Sequence, residues 1–175
     1  MLTRYHRFNT YLSCLVVGSL FLAGCTSGGK KEEITTLRIH METSDPQSEH
    51  VLTAPVYRAS PKPINVNRSF FLNENDVAHA SVQRSNGAFA IKLELTRHGA
   101  IVLETESTAN KGRRMAIFSQ FGDVRWLAAP MIRQRLDGGV IVFTPDATED
   151  ESERIVRGLN TLSKKNNNDG NPFKW

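Results

Sequence analysis

An α+β fold, a mainly antiparallel sheet with two to three helices packed on it, is expected for this sequence on three observations. Short stretches of period-two alternation recur between turn residues, Asn86-Gly87 stands between two of them, and two helical stretches are each preceded by a threonine. Hairpins therefore alternate with helices along one chain, which is the pattern of an α+β domain.

Leu37, Ile39 and Met41 alternate with polar residues and predict a first strand. Val51 to Tyr57 and Pro63 to Val66 are further extended pieces, and their prolines suit a sheet edge better than its centre. Asn73 is placed to cap a short helix over Glu74 to Ala80, with Glu74 and Asp76 in its first turn where the helix dipole favours acids. Ser81 to Gln83 and Ala88 to Leu95 flank Asn86-Gly87, the pair that best supplies the positive backbone angles of a tight hairpin. Phe89, Ile91, Leu93 and Leu95 face one way from the second arm, so one of its faces is core.

Thr96 is placed to cap a helix from about Arg97 to Ser107, with Ala100 and Leu103 on one stripe. Asn110 to Gly112 breaks it. Strands Arg114 to Phe118 and Asp123 to Leu127 follow around a turn at Gly122, and an extended piece over Pro130 to Leu136 leads through Asp137-Gly138-Gly139 into Val140 to Phe143. Thr148 and Glu151 form a Thr-x-x-Glu capping box, opening a helix that carries Ile155, Val156, Leu159 and Leu162 on one face.

The flanking segments carry a different kind of information. Arg4 and Arg7 precede an uncharged apolar run from Leu12 to Leu22, the layout of a secretory signal. At roughly a dozen residues the run is short of the ~20 that span a bilayer as a helix. Leu22-Ala23-Gly24-Cys25 resembles the lipobox of bacterial lipoproteins, which implies a lipid on Cys25 and a domain anchored to a membrane. The expected organisation is a signal over 1–24, a lipidated tether over 25–36, one domain over 37–162 and a disordered tail over 163–175 whose Phe173 and Trp175 have no assigned role. Cys14 leaves with the signal and lipid blocks Cys25, so no thiol remains to form a disulfide. The formal charge of +4 falls by two with Arg4 and Arg7, too slight an excess to argue for nucleic acid.

From Asn73 onward the chain resembles the head part of the first periplasmic region of SecD and SecDF, membrane proteins that assist Sec-dependent export. The residues that carry the resemblance are Asp76-Val77-Ala78-His79-Ala80, Thr96-Arg97-His98-Gly99-Ala100, and Asn110-Lys111-Gly112-Arg113-Arg114-Met115-Ala116-Ile117. They are followed in order by Gly122-Asp123-Val124, Ala129-Pro130-Met131-Ile132, Gly138-Gly139 and the acidic-capped Glu149 to Leu162. Pro145 stands where that family tends to place a glycine, and Leu37 to Phe71 matches only loosely. Nothing after Leu162 is apolar enough to cross a membrane, whereas the family continues into membrane-spanning helices that carry the proton-coupling charges. The resemblance therefore implies a head alone, with unfolded exported chains or Sec components as its partners and no catalytic residue to carry over.

No chemistry of an enzyme is readable in the residues. His40, His50, His79 and His98 lie in no metal-ligand spacing, Glu149, Asp150, Glu151 and Glu153 sit where a helix N-terminus favours acids, and neither a nucleophile elbow nor a phosphate loop is present, so no metal or cofactor is expected. Arg113, Arg114, Arg125, Arg133 and Arg135 fall on successive extended pieces. If alternate positions share a face they form a basic strip for anionic headgroups or acidic peptide segments; solvated strand positions are the competing account. Trp126, with Leu127 and Phe121, is either an exposed apolar contact for an unfolded chain or a core edge. Of the ways to grip a peptide, pairing at a free sheet edge needs no sequence specificity.

The expected function is a membrane-anchored, non-enzymatic binding module of the bacterial envelope that assists export or envelope assembly. The alternative is a structural envelope lipoprotein with no role in export. Thr26 after the lipidated cysteine points to the outer membrane by the enteric rule, a translocon-side head points to the inner one, and the residues leave both, with the oligomeric state, open.

Overall fold

The structure, a computed structural model, describes residues 34–44 and 50–169. The signal stretch, the lipobox Leu22 to Cys25, most of the tether, and the terminal Phe173 and Trp175 lie outside the described residues. Elements follow in the order β1 Thr36–Glu42, β2 Val51–Val56, β3 Lys62–Asn73, a 3-10 turn Glu74–Asp76, β4 Val77–Ser85, β5 Ala88–Leu95, α1 Arg97–Ala109, β6 Met115–Gln120, β7 Val124–Ala128, β8 Val140–Phe143 and α2 Glu149–Asp169.

The strands form a five-stranded sheet in the order β2-β3-β1-β6-β7 and a three-stranded sheet in the order β4-β5-β8, and all their pairings are antiparallel. The larger sheet is curled: β1 and β3 lose register at Ile39/His40 and again at His40/Glu42, and the outer strands β2 and β7 come into contact. Its concave side holds a small cluster of Ala54, Val56, Ile64, Val66, Ala116 and Ala129. The other side faces the main core, where Leu37, Ile39, Met41, Ile117 and Leu127 meet Ile91, Leu93 and Ile141 of the smaller sheet and Leu103, Ile155 and Leu159 of the helices. Pro55 and Pro63 oppose each other across β2 and β3, so two residues without N–H groups share one register position; β2 is an outer strand as its proline suggests, whereas β3 is not an edge and lies between β2 and β1, its Pro63 beyond the part that pairs with β1.

The hairpin, both threonine caps and β8 form where they are expected. Asn86 and Gly87 take φ of 50° and 77°, Thr96 accepts from the Gly99 N–H at 3.2 Å, and Thr148 and Glu151 exchange hydrogen bonds at 2.8 and 3.2 Å. Three expectations need correction. The helix over Glu74 to Ala80 stops after one 3-10 turn, because Asp76 closes a capping box on Asn73 and Val77 is drawn into β4 opposite Leu95. Pro130 to Leu136 is not a strand: its backbone is taken at Met131 by an isolated bridge to Arg114, at Ile132 by Gly112 and Arg113, and at Leu136 by the Ser107 hydroxyl. The tail expected from Ser163 is helical to Asp169, held where Ser163 Oγ donates to the Ala78 carbonyl at 2.7 Å and Asn166 donates to Asn75 at 2.9 Å.

Candidate functional site

α2 runs antiparallel along the outer edge of β4. Glu149 and Glu153 hold Arg84, Asn160 pairs with both backbone groups of Ala80, and Ser163 reaches Ala78. One side of the three-stranded sheet is thereby flanked by a helix. The opposite side is β8. The pairs Leu95–Gly139, Leu93–Ile141 and Ile91–Phe143 spend the inward groups of β8 on β5, so alternation turns the N–H and C=O of Val140 and Val142 outward. Among the described residues no backbone partner meets them there.

The outward edge borders a cleft of about 530 Å³ lined by Tyr57, Ala59, Ala128, Pro130, Val142, Phe143, Thr144, Pro145 and Asp146. Val142 is 51% exposed although it is β-branched and apolar, and Tyr57 is 42% exposed. Tyr57 also takes φ of 68°, a left-handed conformation unusual for a bulky aromatic residue. The loop behind it is clipped across the cleft: Asp146 accepts from the Arg58 N–H at 2.7 Å and lies 3.5 Å from the Arg58 Nε. Pro145 is buried in the wall, and Asp146 N–H donates to the Leu127 carbonyl at 2.7 Å, tying the exit of β8 to β7.

The arginines singled out in the sequence do not assemble into one strip. Arg125 is buried at 8% exposure, bonded to Glu151 at 3.0 Å through each of two nitrogens, bonded to Asp123, and 5.2 Å from the Phe121 ring centre. Hydrogen bonds from this guanidinium hold the carboxyls of Glu151 and Asp123 below their usual range, and those bonds, with Glu151 first, hold Arg125 in its charged form. Arg135 is exposed and paired with Glu104. Arg114, Arg113 and Arg133 do gather at one place. Arg114 bridges Met131, its guanidinium donating to the Ala129 carbonyl at 3.4 Å, and the Arg113 carbonyl accepts from the Ile132 N–H at 2.8 Å, so Arg133 stands close by. Trp126 takes the core-edge place, packed on the small cluster and edge-on to Phe118 and His40 at 5.2 and 5.3 Å.

His40, 4% exposed, lies between Trp126 and Phe70 with its Nδ1 donating to the Asn67 carbonyl at 2.8 Å; burial lowers its pKa, and Arg38 adds to the lowering against that hydrogen bond. His98 meets Asp76 at 2.8 Å, but the other oxygen of Asp76 accepts from Asn73, which makes the acid a cap. Among the described residues no group of three or more His, Cys, Asp or Glu side chains is placed to hold a metal ion, and no helix is long and apolar enough to cross a membrane. Sequence reasoning missed the Tyr57 loop and the cleft, since the positive φ and the approach of the two sheets are products of the assembled fold. The alternating valines of β8 were the readable signal.

Comparison with known proteins agrees with this architecture. Residues 49–161 match the family model described as SecDF, P1 head subdomain, a range that leaves out β1 although β1 sits at the centre of the larger sheet. The chain is similar to a structure of SecDF, a membrane component that enhances protein export, at 19% identity and a TM-score of 0.55, covering 80% of this chain and 71% of that one. It is similar as well to SecDF in a super-membrane-facing form, at 22% identity and a TM-score of 0.55, covering 74% of this chain and 19% of that one. Identities this low speak for the fold. No curated protein matches the chain.

Proposed function

We infer the function from membership: the chain belongs to the SecDF P1 head subdomain family. The proposal is a non-enzymatic binding module of the bacterial envelope that assists protein export by pairing an extended segment of an exported chain with the free edge of β8. One observation carries it. Val140 and Val142 present unpaired backbone groups beside an apolar cleft, and such an edge accepts an added strand whatever its sequence. A protein that enhances export, as SecDF does, meets many different chains, and backbone pairing is the recognition mode that suits them all. Lipid on Cys25, behind Leu22, Ala23 and Gly24, would anchor the module to its membrane.

The test places a photo-crosslinking residue at Val142 of the full chain in living cells. Crosslinks to exported chains in transit, or to Sec components, support the proposal. Crosslinks confined to wall or outer-membrane components overturn it in favour of a structural envelope lipoprotein.

A further inference from the structure

Four cations lie along a short backbone ladder that meets the rim of the cleft at Pro130. Lys111 and Arg113 lie on one side of a short backbone ladder and Arg133 on the other, fixed by Gly112 N–H to Ile132 O and Ile132 N–H to Arg113 O, both 2.8 Å. Arg114 reaches across to the carbonyl of Ala129, between the cleft-lining Ala128 and Pro130. Elsewhere in the fold arginines find carboxylates: Arg58 pairs with Asp146, Arg84 with Glu149 and Glu153, Arg125 with Asp123 and Glu151, and Arg135 with Glu104. Among the described residues no such ion pair includes Lys111, Arg113, Arg114 or Arg133; Glu42, the acid nearest by bonding, is taken by the Arg114 backbone N–H at 2.8 Å, and Arg113 donates to the neutral Asn110 at 3.1 Å. Met131, 46% exposed, bridges Arg114 in the same ladder.

We propose that this rim selects the segment the cleft takes: an extended polypeptide whose apolar stretch is followed by acidic side chains, the apolar part pairing with β8 and the acids meeting Lys111, Arg113, Arg114 and Arg133. The proposal rests on the β8 reading above and adds a charge preference to it. Unpaired cations beside a groove complement an anionic flank, and Lys111, Arg113 and Arg133, being exposed, act on encounter and selectivity more than on total affinity.

The experiment titrates the full chain with two labelled peptides that share a core of alternating valine and threonine, one ending in glutamates and the other in glutamines, read by fluorescence anisotropy at low and high salt. The glutamate peptide should bind about fivefold more tightly at low salt, and the advantage should fade as salt screens it. The double variant Arg113→Gln with Arg133→Gln, both exposed, should reduce the advantage at least about twofold, Lys111 and Arg114 remaining, while leaving the glutamine peptide and thermal unfolding unchanged. Equal affinity for the two peptides overturns the proposal and leaves the β8 reading standing; no binding of either overturns both. Loss of binding to phosphatidylglycerol vesicles in the double variant, without any peptide preference, assigns the rim to a membrane surface and overturns the proposal too.

Discussion

Asn160 of α2 pairs with Ala80 of β4 through both backbone groups of the strand residue, its Oδ1 accepting from the Ala80 N–H at 2.8 Å and its Nδ2 donating to the Ala80 carbonyl at 2.9 Å. A side-chain amide thus takes the place of a neighbouring strand, so this edge carries a covered ladder position instead of an invitation to aggregate. Asn160→Ala removes both partners from a buried residue. Denaturant unfolding should show a loss of about 2 kcal/mol, with the slope of the transition unchanged.

Gly158 faces Thr35 so closely that a Cβ built there would lie 2.1 Å from the Thr35 Oγ1 and 2.7 Å from its Cβ. Helix propensity alone says that Gly158→Ala gains up to about 1 kcal/mol. Overpacking against a buried β-branched neighbour should win and cost about 1 to 3 kcal/mol. Thr35→Gly in the same chain should recover only part of the loss, because the added Cβ would still lie 2.9 Å from the backbone nitrogen of residue 35, and a double-mutant cycle in urea measures the coupling.

Two acid-induced losses should separate along the pH axis. Burial depresses the pKa of His40, so its folded state favours the neutral ring: that stability is present above the usual histidine value of 6.5 and is lost as pH falls below it. Arg125 depresses the pKa of Glu151, whose contribution is present above the usual 4.5 and is lost only as pH falls further. His40→Phe should flatten the first decline and leave the second. Arg125→Met should cost about 1 to 2 kcal/mol near neutrality, discounted for the partial exposure of Glu151, with the difference narrowing in acid. Urea midpoints measured across the pH range check both.

Tyr57→Gly should separate stability from binding. The left-handed backbone at φ of 68° costs an ordinary residue about 1 kcal/mol or more, and the half-exposed ring recovers little of that by burial. The variant should unfold at the same or a slightly higher temperature while its affinity for an extended apolar peptide falls.

Much of this architecture was legible in local chemistry. Asn86-Gly87, Thr96 and the Thr148–Glu151 box announce their structures because each is decided by a few adjacent residues. The errors came where distant partners decide. Val77 to Ala80 has the composition of a helix start, yet Leu95 and Asn160 claim it for a sheet. Ser163 to Asp169 reads as a polar tail, yet contacts with Ala78 and Asn75 continue the helix through Asn166. Arg125 looked like one more solvated strand cation, and nothing near it in sequence tells that Glu151 will bury it. Likewise the cleft needs residues from 57 to 146 brought together, while the exposed Val142 that borders it was visible only as part of an apolar strand.

Hydrogen exchange of the Val140 and Val142 amides, followed by NMR with and without an extended apolar peptide, decides whether β8 is the binding edge. Slowed exchange at both on addition of peptide is the expected result, and in Val142→Pro the Val140 amide should show no slowing, since proline removes an outward N–H without breaking the ladder to β5. Peptide binding that leaves both amides exchanging as before, or that survives Val142→Pro unchanged, would contradict it.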